Sequence, residues 1–333
     1  MKSHDYEFTR NDLTRLIGLP LLFVCSIAVA LQCAKILHFL PRPLPILDVD
    51  RTILLHQAQA AINGSSAEIV LIGDSSCLMD AQADPLQTQL GKPVLNLGTL
   101  SYLDLDSYSG LLRQYASTHK QLKTVVLLMH LEALRIPQAN NYYTDTVARF
   151  YNSQDFCDPR SSRIICNLGA NLIHGRIFPR LLPVALPGIY GKAYGFNWNL
   201  WDHLSRYNGS AFDPRTFDAT SSRGNPEYRL ALSLDKKSQL FRKALPVGTR
   251  LVVGITPSPR SFVLEGHDQR CHAMLLQWKK WLNADAALES LPCSLDDALF
   301  ASTTHLNQRG ATEFTTQLAA ALTLTDIPSQ NGR

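Results

Sequence analysis

No stretch of this 333-residue chain sets Lys and Arg beside interleaved aromatics, and the formal net charge is a modest, unclustered +4. The electrostatic footprint of a nucleic-acid partner is therefore missing. Neither a Cys-x-x-Cys pair nor a His/Cys spacing of the metal-binding kind occurs among the seven cysteines, so the sequence implies no metal and no cofactor. Internal repeats and low-complexity tracts are absent as well. What remains is an ordinary globular composition, 45% hydrophobic, in a chain long enough for one large domain or two small ones.

Charge is absent altogether from Leu16 to Ala34, close to the length a helix needs to cross a bilayer. Lys2, Arg10 and Arg15 precede this run, and Lys35, Arg42 and Arg51 follow it, a weak bias that keeps residues 1–15 cytoplasmic. The expectation is an uncleaved transmembrane anchor over 16–36, then a proline-rich linker and lead-in helix over 37–63. The remainder would lie on the periplasmic or extracellular side of a bacterial inner membrane. Two alternatives stay open: cleavage at Ala28-Val29-Ala30, and a buried core helix. No cysteine follows a lipoprotein box. Cys157 with Cys166, and Cys271 with Cys293, suit either disulfides or free thiols.

The run Ile69-Val70-Leu71-Ile72 contains no polar residue and stops at Gly73-Asp74-Ser75. That pattern predicts a strand buried on both faces inside a parallel sheet. Gly73 and Asp74 shape the turn that follows it, and Ser75 stands just past the strand's carboxyl end, where open α/β sheets bind ligands. An ordinary turn with a capping residue would read the same way. Pro93–Leu97, Thr124–Met129 and Arg250–Thr256 predict further strands. Helical patterns lie between them at 84–90, 104–117, 227–244 and 269–283, with a last helix at 311–322. This alternation is the grammar of a doubly wound α/β fold over 64–327. From about 136 to 226 the rhythm gives way to Asn, Pro and aromatics, including Tyr142, Tyr143, Tyr190, Tyr194, Trp198 and Trp201. We read that region as an insertion with some helix near 163–182. It is either a lid or platform for an extended substrate, or solvated loop.

A serine becomes a nucleophile only beside a base, and needs donors for the oxyanion it creates. His305, in His305-Leu306-Asn307-x-x-Gly310 before the last helix, is the candidate base. An early Gly73-Asp74-Ser75 after a strand combined with this late block resembles the SGNH (GDSL-type) hydrolase superfamily. The likeness covers 69–134 and 250–322. It implies a flavodoxin-like three-layer fold, Ser75 as nucleophile and His305 as base. The apolar N-terminal segment makes the chain similar to the membrane-tethered branch of that superfamily. That branch includes proteins of polysaccharide O-acetylation and teichoic-acid D-alanylation, which work beside membrane-bound O-acyltransferases.

Three positions depart from the family pattern. Ser302 stands where an Asp normally orients the histidine, so Ser302, Asp296 and Asp297 are candidates for that role, as is a main-chain carbonyl. Ser101 occupies the place of the second-block glycine, and its N–H joins that of Ser75 as a candidate oxyanion donor. Where an Asn follows the third strand, the chain has Glu132, with His130 nearby. The resemblance thus implies a serine O-acyltransferase or esterase acting on an exported polysaccharide or other envelope polymer. The alternative is a non-catalytic binding or assembly partner of a membrane-bound O-acyltransferase.

Overall fold

The structure is a computed structural model describing residues 9–36, 49–101, 103–135, 195–213, 215–218, 224 and 226–326. The chain divides into two compact units, Met1–Ile46 with Phe156–Gly195, and Leu47–Asp155 with Phe196–Arg333. In the first, α1 (Arg10–Leu13) and a π-helical turn (Thr14–Gly18) precede α2 (Leu19–Ile36). Leu16, Leu19, Leu22, Phe23 and Val24 expose their side chains there. Among the described residues no helix is long and apolar enough to cross a membrane. The 18 residues of α2 rise about 27 Å, against a hydrocarbon core of about 30 Å. The crossing expected at Leu16–Ala34 therefore has no support from the described helices.

The second unit begins with α3 (Val49–Asn63), β1 (Ile69–Gly73), α4 (Ser75–Asp80), α5 (Ala83–Leu90) and β2 (Val94–Asn96). Then come α6 (Leu105–Thr118), β3 (Thr124–His130), α7 (Leu131–Arg135), α8 (Gly195–Arg206) and α9 (Ser233–Lys243). It closes with β4 (Arg250–Thr256), β5 (Ser258–Pro259), α10 (His267–Leu282), β6 (Ala286–Ala287), β7 (Ser294–Leu295), a 3-10 turn (Asp297–Leu299) and α11 (Gln308–Asp326).

The main sheet is parallel throughout, in the order β2-β1-β3-β4-β6. Counting its five strands in sequence, this is 2-1-3-4-5, a doubly wound order whose switch point lies between β1 and β3. Ile69, Leu71, Val126, Leu128 and Val252 share one apolar cluster with Leu86 of α5 and Phe314, Leu318 and Leu322 of α11. The alternate residues Val70, Ile72, Val125, Leu127, Leu251 and Val253 are buried too, and strand alternation turns them to the opposite layer. There α3 packs on α6, α6 on α9 and α9 on α10. Two covered faces explain why these strands carry no polar interior residue.

The elements expected from pattern lie close to those observed, with shifted ends. Asp104 caps α6 through its Oδ1, 3.0 Å from Ser107 N. Asp84 sits inside the first turn of α5 rather than capping it, and Gly91 ends that helix in the left-handed region at φ 62°. Residues 136–194, including Cys157, Cys166, the helix expected at 163–182 and most of the aromatic insertion, lie outside the described residues. Within the expected insertion, 196–213 groups with the sheet unit. Trp201 packs edge-on against His56 at 5.0 Å.

Candidate active site

Gly73 ends β1 at φ 155°, where a Cβ would lie 1.7 Å from the carbonyl oxygen of Leu128. Only glycine lets the chain turn against β3 at that point. Asp74 follows, fully buried. Its Oδ1 accepts from Ser76 N at 3.0 Å and Ser76 Oγ at 2.6 Å, and its Oδ2 from His130 N at 3.0 Å. Thr256 Oγ1 donates to Ser76 Oγ at 2.8 Å. Asp74 thus caps α4 and ties the turn to the ends of β3 and β4. Burial raises its pKa, and these hydrogen bonds pull the other way. Ser75, the first residue of α4, is left half-buried beside the carboxyl edge of the sheet.

His305 comes from the loop between the 3-10 turn and α11. Asn307 braces that loop, donating to Ala298 O at 2.8 Å and accepting from Gly310 N at 3.0 Å. Leu306 N donates to Asp80 Oδ1 at 2.8 Å. His305 Nε2 lies 2.8 Å from Ser75 Oγ, and His305 Nδ1 lies 2.7 Å from Asp213 Oδ2. The carboxylate facing the histidine is therefore Asp213, 92 residues upstream. It is none of the three candidates drawn from the last block.

Asp213 is delivered by a tightly tethered segment. Asn208 and Gly209 both adopt positive φ, 48° and 84°. A Cβ on Gly209 would lie 2.0 Å from Asn96 O. Asn96 N donates to Asn208 O at 2.9 Å, Ala211 N to Leu78 O at 3.0 Å, and Ala83 N to Ser210 Oγ at 2.9 Å. The buried Gln57 amide reaches the carbonyls of Gly98 at 2.7 Å and Gly209 at 3.1 Å. Arg215 then grips Asp213 from outside, its Nε 2.9 Å from Oδ1 and its Nη2 2.5 Å from Oδ2. Burial opposes ionisation of Asp213, but the hydrogen bonds from His305 and Arg215 outweigh it and hold the carboxyl well below the usual range.

The other expected residues do different work. Ser302 Oγ accepts the backbone N–H of His305 at 3.1 Å and of Thr304 at 3.4 Å, so it shapes the loop rather than orienting the ring. Asp296 caps the 3-10 turn through Ala298 N at 2.9 Å, and Asp297 accepts from Ser261 N at 2.9 Å. Ser101 meets Ser75 through its side chain, Oγ to Oγ at 2.9 Å. Glu132 pairs with Arg135. His130 Nδ1 accepts from Glu132 N at 3.2 Å and its Nε2 contacts Ser258 Oγ at 3.0 Å. Burial, with the nearby cationic groups, lowers the His130 pKa to about 3. Cys271 and Cys293 are both free thiols.

With Nδ1–H donated to the ionised Asp213, Nε2 is the acceptor for the Ser75 hydroxyl proton. Such a chain can draw that proton as Ser75 attacks, and holds the resulting imidazolium against a carboxylate.

Asp80, beneath the histidine loop, is buried, and its Oδ2 has no hydrogen-bond partner among the described residues. Burial raises its pKa well above the ordinary value, and nearby Asp74 and Asp213 push it further. The folded chain then holds a proton that the unfolded chain releases above about pH 4. Stability is lost as pH rises from there towards the folded value, at up to about 1.4 kcal/mol per pH unit. Asp80→Asn keeps an oxygen for Leu306 N–H and removes the titration. In urea unfolding at pH 5 and pH 8, wild type should lose more stability between the two than Asp80→Asn. Equal losses would show that Asp80 does not hold that proton.

Comparison with known proteins adds little to this geometry. No family model matches the chain, and no curated protein matches it. Among solved structures, one provisionally described as a platelet activating factor from Streptococcus pneumonia is similar at a TM-score of 0.35 and 12% identity, over 89% of this chain and 99% of that one. A likeness of that degree assigns neither a family nor an activity.

Proposed function

We propose that this protein is a serine-dependent acyl-transfer enzyme of SGNH type, an esterase or O-acyltransferase. Ser75 is the nucleophile, His305 the general base and Asp213 the residue that orients it. The observation that carries the reading is the unbroken chain of contacts from Asp213 through His305 to Ser75, at 2.7 and 2.8 Å. Ser75 attacks an acyl carbonyl while His305 Nε2 takes its proton. Collapse of the tetrahedral intermediate expels the leaving group, which recovers that proton, and leaves acyl-Ser75. Water or a sugar hydroxyl, deprotonated by the same nitrogen, then takes the acyl group.

The non-catalytic alternative leaned on Ser302 standing where a carboxylate was expected and on the missing Asn after the third strand. Asp213 supplies a carboxylate from elsewhere, which removes the first of these motives. The substrate class, an exported polysaccharide or envelope polymer, rests on the resemblance of the motifs together with the apolar N-terminal segment. The exposed leucines and Phe23 of that segment suit contact with a membrane. The placement of the sheet unit outside the cytoplasm, beside a membrane-bound O-acyltransferase, rests on the resemblance alone. The test is polymer-bound acyl ester in the envelope of cells making wild type or Ser75→Ala at equal level. The variant should match cells lacking the protein. Wild-type ester content in that strain would overturn the assignment.

A further inference from the structure

We infer that the Ser101 hydroxyl is an oxyanion donor that starts each turnover aimed at the nucleophile. The inference rests on Ser75 being that nucleophile and concerns a different atom from the Ser101 N–H expected from sequence.

The argument is a proton count. A serine hydroxyl has one proton to give. Asp213 holds the Nδ1–H of His305 at 2.7 Å, so Nε2, at 2.8 Å, takes the proton of Ser75. The 2.9 Å contact between Ser101 Oγ and Ser75 Oγ then has one allowed direction: Ser101 donates and Ser75 accepts. Arg215 Nη2, 3.2 Å from Nδ1, carries only donor hydrogens and by itself would favour an unprotonated Nδ1. The Asp213 carboxylate, closer at 2.7 Å, can only accept and keeps the proton on Nδ1.

The loop that carries Ser101 is held to the strand that presents Ser75. Leu97 N donates to Leu71 O at 2.8 Å and Thr99 N to Gly73 O at 2.9 Å. Gly98 N donates to Asn96 Oδ1 at 2.7 Å, and Tyr108 Oη to Leu100 O at 2.7 Å. Ser101 itself is exposed at the mouth, so a substrate can reach it. A donor fixed in this way costs little reorganisation at the moment of reaction.

During attack, a lone pair of Ser75 Oγ forms the new C–O bond and its proton passes to Nε2. The carbonyl π pair moves onto the carbonyl oxygen, one carbon away from Oγ. Ser75 Oγ, now an ester-like oxygen, is a poorer acceptor than this new oxyanion. A rotation about the Ser101 Cβ–Oγ bond carries the hydrogen bond from one to the other. When the intermediate collapses the pair returns to the carbon, the leaving group takes the proton from Nε2, and Ser101 swings back.

The test uses the purified full-length protein and p-nitrophenyl acetate, with Ser101→Ala, Ser101→Gly and Ser101→Thr. Both Ala and Gly keep the backbone N–H and lose the hydroxyl. Each should lower kcat by about 10²–10³-fold, the loss seen for a single oxyanion donor, with KM and the acid limb of the pH profile unchanged. Ser101→Thr keeps a hydroxyl and should retain most of the activity. Wild-type kcat in Ser101→Gly would overturn the inference, because the backbone N–H would then suffice. A shifted acid limb in Ser101→Ala would also overturn it, since Ser101 would be acting through His305. Failure of the underlying reading looks different: Ser75→Ala would then turn over as fast as wild type.

Discussion

Asp213→Asn is expected to lower kcat about 10⁴-fold on any acyl ester the protein turns over, the cost of losing a triad carboxylate. The amide is nearly the same size, so the segment from Asn208 to Phe212, with its own hydrogen bonds to Asn96 and Leu78, should keep its place. What changes is the charge and the donor pattern. An amide NH₂ facing Nδ1 favours the tautomer with its proton on Nε2, which can no longer take one from Ser75. Arg215 would at the same time lose the anion it grips and stand unneutralised beside the ring. Ser302→Ala should behave differently, because Ser302 bonds the backbone of its loop and not the imidazole. Its cost should be about 1 kcal/mol of stability, the net worth of an ordinary hydrogen bond, with kcat little changed. Asp296→Asn and Asp297→Asn should stay close to wild type in kcat. A severe loss in Ser302→Ala with a mild one in Asp213→Asn would invert the assignment of the orienting group.

Ser75→Ala and His305→Ala should each abolish turnover, by about 10⁶-fold in kcat, and the double variant should be no worse than either. The two side chains act as one unit: the base has nothing to activate without the hydroxyl, and the hydroxyl is a poor nucleophile without the base. Ser75 is only half-buried and α4 is capped by Asp74 instead, so the methyl of alanine should change stability by less than about 0.5 kcal/mol. Thermal unfolding of each variant provides the control. Losses that multiplied in the double variant would mean that the two residues act in separate steps.

Much of the scaffold is visible in the sequence because it depends on local runs. β1, β3 and β4 are unbroken apolar segments, as strands covered on both faces must be, and glycine and aspartate mark the turn that follows the first. The pairing of Ser75 with His305 could be anticipated because the doubly wound topology brings the first and last βα turns to one edge. Asp213 could not be found by counting from His305. Its position depends on the left-handed pair Asn208–Gly209, on Gln57 reaching across from α3, and on Asn96 N–H holding the chain beside β2. These are non-local contacts, and no spacing encodes them. The short β6 and β7 escaped notice for a related reason: two residues carry no period. Glu132 and His130, picked out by position alone, instead brace the end of β3 against Arg135 and Ser258.

The measurement that bears most directly on the central claim is covalent capture by a fluorophosphonate, followed by peptide mass mapping. A nucleophile primed by Asp213 and His305 should take one phosphonyl group, on the peptide that holds Ser75. Ser75→Ala should stay unlabelled, and His305→Ala should label far more slowly. Folded wild-type protein that takes no label, or takes it at another residue, would contradict the account.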